Sequence, residues 1–188
     1  MFLGMVIIMN SIMVVLSVVI VVCLILIILV ATYNHFQDYI IRINEADVNI
    51  DAVLRKRFDL LNKSVGIIKN TTDTEEQILE ILEKIRSKKL NNFELDRYLY
   101  EAINEFHAIK EKYPILQENK EFIKIEINVL ESESEIVGLR KYYNDIITDY
   151  NKLVKNCPSN FVALFKGYKA KNYFDGHNMD EEKVAVKL

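Results

Sequence analysis

From Met5 to Ala31 the chain is apolar at every position except Asn10, Ser11 and Ser17, and the pattern then changes to apolar residues three and four apart. A helix needs about 20 apolar residues to cross a hydrocarbon core of roughly 30 Å. Ile12 to Ala31 alone is long enough, so the first segment reads as a transmembrane helix. A cleaved signal peptide would need a basic start and a shorter apolar core. Val22 before Cys23 also argues against lipoprotein processing, which wants a small residue there.

Four amphipathic stretches follow, each with a coiled-coil-like spacing. The first carries Ile43, Ile50, Leu54, Phe58, Leu61, Val65 and Ile68. No Gly or Pro lies between Met5 and Val65, so nothing separates this stretch from the apolar run. The second opens on Thr74-Glu-Glu-Gln77, which has the form of a capping box, and carries Ile78, Ile81, Leu82 and Ile85. The third carries Leu95, Leu99, Ala102, Phe106, Ile109 and Tyr113, and Pro114 ends it. The fourth is the most regular: Phe122, Ile125, Val129, Ser132, Ile136, Leu139, Tyr143, Ile146, Tyr150 and Leu153, with Pro158 beyond. Ser132 is its one position that is neither apolar nor aromatic.

Short connections favour antiparallel neighbours. The expected fold is all-α, a transmembrane anchor over residues 1–32 followed by an antiparallel four-helix bundle with long helices over 33–174. Phe161, Leu164 and Phe165 are expected to form a short helix closing the end of that bundle. Residues 175–188 lack periodicity and read as a disordered tail.

Charge sharpens this division. Residues 1–37 contain no Lys, Arg, Asp or Glu, and the whole net charge of −3 lies beyond them. A weakly acidic soluble part argues against a nucleic-acid partner. Basic residues follow the apolar run (Arg42, Arg55, Lys56, Arg57) and none precedes it, which places the helical part in the cytoplasm and a short N-terminus outside. The lipid bilayer, met through residues 5–31, is thus the first expected partner.

Candidate chemistry is sparse. Cys23 and Cys157 cannot make a disulfide framework, and no C-x-x-C, H-E-x-x-H or E-x-x-H occurs. No phosphate-binding glycine loop and no G-x-S-x-G elbow occurs either. No catalytic residue, metal or cofactor is expected.

What remains is a polar seam. Tyr143-Asn144 recurs seven residues on as Tyr150-Asn151, and Tyr33-Asn34 precedes both. The two tyrosines share one heptad position facing the core, with Asn144 and Asn151 at the stripe's edge. Glu133 and Arg140 lie beside the same stripe, with Arg55, Arg57 and Asp59 of the first stretch as plausible partners. Leaving aside Tyr33-Asn34, these residues form either a structural seam or a partner site.

Two blocks resemble the LemA family of bacterial membrane-anchored proteins: Val48 to Lys69, preceded by Tyr33-Asn34, and Glu111 to Phe165. Within the second, Tyr113-Pro114, Phe122, Glu133, Arg140, the two Tyr-Asn pairs and Pro158 stand where the family pattern has them. Asn62 replaces a usual proline and Cys157 a usual aromatic residue. The resemblance implies a single-pass protein of the bacterial cytoplasmic membrane with a soluble antiparallel four-helix bundle. It implies no activity. The expected role is a non-enzymatic scaffold for unidentified protein partners, with self-association open. The competing reading is a ligand-binding or enzymatic bundle with a polar pocket around Glu133, Arg140, Tyr143 and Tyr150.

Overall fold

A computed structural model describes residues 2–72 and 76–174, with side chains from residue 9 onward except those of Glu76 and Gln77. The described residues are helical, with no strand among them. The expected all-α class therefore holds. Helix α1 is continuous over Phe2–Thr72, joining the apolar run to the first amphipathic stretch without a break. Helix α2 covers Glu76–Ser87 and α3 Asn92–Lys112. A single 3-10 turn, Pro114–Glu118, leads into α4 over Lys120–Lys155, and α5 covers Ser159–Lys166. Thr74 of the expected capping box lies outside the described residues, as does the tail 175–188.

The termini of α3 follow from its sequence. Asn91 caps its start, its Oδ1 accepting the Glu94 N–H at 2.9 Å while Glu94 accepts the Asn91 N–H at 3.0 Å. Two orphan donors are satisfied reciprocally. At the other end Pro114 cannot continue the ladder, and the chain tightens into the 3-10 turn.

The chain divides into two compact units. Among the described residues, one comprises residues 2–41 and 148–171 and the other 42–72, 76–147 and 172–174, so α1 and α4 contribute to both.

In the larger unit the α4 stripe is buried except at half-buried Leu139: Phe122, Ile125, Val129, Ser132, Ile136, Tyr143 and Ile146 face inward. They meet Ile50, Leu54, Leu61 and Ile68 of α1 and Leu99, Ile103 and Phe106 of α3 in one apolar core. Phe106 stacks on Phe122 with ring centroids 4.9 Å apart. Lys110 pairs with Glu126 and Asp96 with Arg140, so α4 runs antiparallel to α3. Burial of a Leu, Ile or Phe side chain is worth about 1.5–3 kcal/mol. The heptad pattern therefore fixes which face of each helix turns inward.

In the smaller unit the buried positions are Phe36, Tyr150, Ser159, Val162 and Ala163. The expectation that Phe161, Leu164 and Phe165 close the end of the fold is wrong. Helix α5 forms, but it turns Ser159, Val162 and Ala163 inward and leaves those three side chains 63%, 83% and 88% exposed. Both sets are spaced i, i+3, i+4, so α5 has two stripes, and the one with the small residues packs closest.

Candidate functional site

The polar seam resolves into a buried charge cluster and a pair of backbone clamps. The cluster centres on Asp96, a residue of α3 that is 1% exposed. Its Oδ1 lies 3.7 Å from Arg57 Nη1, and its Oδ2 accepts a short hydrogen bond from Arg140 Nη2. Arg57, 3% exposed, also donates from Nε to Ser132 Oγ at 3.0 Å. The Ser132 hydroxyl in turn donates to the Val129 carbonyl at 2.6 Å. This explains the one polar position in the α4 stripe: a small hydroxyl there receives a guanidinium from α1.

The electrostatics are tight. Burial pulls the Arg57 guanidinium below its usual range. The Asp96 and Glu133 carboxylates pull it back up, and the neighbouring Arg140 charge opposes them. One buried cation, Arg57, and one half-buried cation, Arg140, thus share one buried carboxylate, with half-buried Glu133 adding negative charge. Removing one member of such a set leaves an uncompensated charge inside the protein.

Arg55 and Asp59 lie apart from this cluster. Arg55 is exposed and pairs with Asp51 on its own helix at 2.7 Å, and Asp59 is exposed. Of the three residues singled out on the first helix, only Arg57 points inward.

The clamps involve the chain that follows α5. Asn144 Nδ2 donates to the Phe174 carbonyl at 3.0 Å, and its Oδ1 accepts the Phe174 N–H at 2.6 Å. Asn151 does the same to Lys171, donating to the carbonyl at 2.9 Å and accepting the N–H at 2.8 Å. Each amide side chain imitates a backbone partner and satisfies both groups of one residue in an irregular segment. The spacing fits: seven helical residues rise about 10.5 Å, and three extended residues about 10 Å.

Each tyrosine packs beside its clamp. Tyr143 meets the Phe174 ring edge-on at 6.0 Å, and Phe174 also stacks on Phe93 at 4.5 Å and receives Arg140 over its face at 5.7 Å. Tyr150 meets Phe36 edge-on at 5.9 Å, and Phe36 packs on Tyr168 at 4.9 Å. Burial raises the phenol pKa of both Tyr143 and Tyr150, with further increments from Asp47 and Tyr168 respectively. Of the first pair, Tyr33 lies under the ammonium of Lys166, 5.0 Å from the ring centroid.

Asp96 and Phe174, the hubs of these two arrangements, were not foreseen. Asp96 follows the stripe residue Leu95 and differs by nothing local from the solvated acids around it. Phe174 lies beyond the last periodic segment.

Among the described residues no group of three or more His, Cys, Asp or Glu side chains is placed to hold a metal. A cavity of about 460 Å³ does exist, but its walls are Leu29, Val30, Tyr33, Phe161, Val162, Phe165 and Lys166. None of Glu133, Arg140, Tyr143 and Tyr150 lines it.

The sequence profile of the LemA family matches residues 46–188. Two magnetosome proteins of Paramagnetospirillum magneticum, MamQ 1 and MamQ 2, are each 29% identical to this chain over 73 residues. That stretch covers 39% of this chain and only 27% of either relative.

Proposed function

Because the chain belongs to the LemA family, we propose that it is a membrane-anchored helical module that presents charged faces to protein partners rather than performing catalysis. The observation that carries this reading is the continuity of α1. One helix runs from a segment long and apolar enough to cross a membrane into the core of a charged helical unit.

The polar seam is consistent with a structural role. Arg140 is hydrogen-bonded to Asp96 and Arg57 to Ser132, Arg57 and Asp96 form an ion pair, and Asn144 and Asn151 are engaged with the chain's own backbone. Two buried atoms of the cluster, Asp96 Oδ1 and Arg140 Nε, have no hydrogen-bond partner, although each side chain is held through its other atoms. The competing ligand-binding reading would need those contacts to open.

The site of action is the bacterial cytoplasmic membrane, crossed once, with the short N-terminus outside and the charged helical part on the cytoplasmic side. Arg42 and the basic residues after it support this orientation, and the fold adds Lys166, which sits over Tyr33 just past the apolar run.

Affinity capture of the full-length chain from detergent-solubilised membranes tests the proposal. The control carries Glu131→Lys and Glu135→Lys on the exposed face of α4. Proteins retained by the unaltered chain and lost from the equally stable variant support an interaction module. Identical captures from both would contradict recognition through this face.

A further inference from the structure

Helix α5 exposes its larger apolar side chains and packs its smaller ones. Phe161, Leu164 and Phe165 form an i, i+3, i+4 stripe at 63%, 83% and 88% exposure, whereas Val162 and Ala163 are buried. Leaving three large apolar side chains in water forfeits the transfer free energy that drives burial elsewhere in the fold. The arrangement is nonetheless held firmly. Ser159 Oγ bonds the Leu153 and Asn156 carbonyls at 2.7 and 2.8 Å, fixing the start of α5 to the end of α4. Gly167 ends the helix in the left-handed conformation, φ 72°, and Tyr168 returns its N–H to the Ala163 carbonyl at 2.9 Å.

The place where α5 sits gives the exposed stripe a partner. The cavity beneath it is walled on one side by Leu29, Val30 and Tyr33, the last turns of the apolar run. Phe161, Val162 and Phe165 wall the other side, and Lys166 stands at the cavity with its ammonium over the Tyr33 ring. Tyr beside Lys at the end of an apolar helix is the combination that settles at the headgroup level of a bilayer.

Charge points the same way. The compact unit that holds α5 contains Lys152, Lys155, Lys166, Lys169 and Lys171 against Asp38 and Asp149, five positive and two negative charges. It is therefore basic in a chain whose net charge is −3. Lys152 is paired with Asp149, while Lys166 is directed to an aromatic face.

We propose that α5 lies in the membrane interface, with Phe161, Leu164 and Phe165 among the acyl chains. The cavity between α5 and α1 takes a chain of an anionic phospholipid whose phosphate faces Lys166. The proposal rests on the reading of α1 as membrane-spanning and adds a second, lateral attachment to it. An apolar helix face with adjacent lysines binds such a surface through buried area together with attraction to anionic lipid.

The chain contains no tryptophan, so a single introduced one reports its own surroundings. Three full-length variants, Leu16→Trp, Phe165→Trp and Tyr142→Trp, are reconstituted separately into phosphatidylcholine vesicles containing phosphatidylglycerol, with bromine on the upper acyl chain of either lipid. Leu16→Trp reports on the apolar run, and Tyr142→Trp on an exposed position of the other unit. Quenching of Leu16→Trp and Phe165→Trp, with Tyr142→Trp unaffected, is the expected result. Brominated phosphatidylglycerol should quench Phe165→Trp preferentially. Adding Lys166→Gln should lower that preference about fivefold, the worth of one lysine near an anionic surface.

If Leu16→Trp is quenched and Phe165→Trp is not, α5 stays in water and the proposal fails while the anchor stands. If neither is quenched, the anchor reading fails and the proposal falls with it. Equal quenching by both lipids, unchanged by Lys166→Gln, would overturn the anionic-lipid site.

Discussion

Asn144 holds Phe174 by both backbone groups, donating to its carbonyl at 3.0 Å and accepting its N–H at 2.6 Å. Asn151 repeats the contact on Lys171. The Tyr-Asn repeat in α4 is therefore the seat for the chain that returns after α5, each Tyr supplying a ring and each Asn a surrogate peptide.

Asn144→Ala should then cost more than a surface change. Two hydrogen bonds at about 0.5–1.5 kcal/mol each give about 1–3 kcal/mol, whereas an asparagine at the rim would stay within about 0.5 kcal/mol. Urea denaturation measures the loss, and limited proteolysis should show new cleavage within residues 168–174. Unchanged stability and protection would mean that the clamp does not hold the segment.

The tyrosines predict a pH dependence. Burial raises the folded pKa of Tyr143 and Tyr150 above the unfolded value near 10. Above that pH the unfolded chain gives up phenolic protons that the folded chain keeps, so stability falls as pH rises. The contribution is fully present below about pH 10 and is lost through the folded pKa values. Tyr143→Phe should flatten the fall seen in melts between about pH 9.5 and 11. An equal slope in variant and parent would show that Tyr143 titrates as in water.

Asp96→Ala should destabilise the fold by about 3–5 kcal/mol, because buried Arg57 and half-buried Arg140 would lose their carboxylate. Replacing all three with apolar residues of similar size (Arg57→Met, Asp96→Leu, Arg140→Met) should be neutral or stabilising by about 1–4 kcal/mol. Thermal melts of both proteins decide this. A mild Asp96→Ala effect would mean that water already reaches the cluster.

The heptads of α1, α3 and α4 were legible because burial against a neighbouring helix imposes a spacing of three and four on any sequence that folds this way. Even the outlier Ser132 was visible as an exception, although its Arg57 partner lies 75 residues away and nothing local names it. Asp96 was not legible, since its distinction from other acids is a contact with Arg140 across 44 residues. The orientation of α5 is hidden for a different reason. Both of its faces are apolar, and periodicity cannot tell which stripe meets protein. Asn144 and Asn151 are half-buried beside the stripe, but the segment they hold has no period to announce it.

Orientation has its own test. With Arg42 and Lys166 at one end of the apolar run and no basic side chain before it, protease added to intact cells should leave the helical units uncut, and lysis should expose them. Cleavage from outside would reverse the topology while leaving the anchor in place.

The central claim is that the uncharged part of α1 holds the chain in a bilayer, and alkaline carbonate washing of membranes tests it most directly. The full-length chain should stay with the sedimented membranes, because about 20 apolar residues in hydrocarbon are not released by removing electrostatic contacts. The same chain without residues 1–32 should pass to the supernatant, since interfacial contacts of α5 alone are reversible. Recovery of the full-length chain in the supernatant would contradict membrane anchoring through α1.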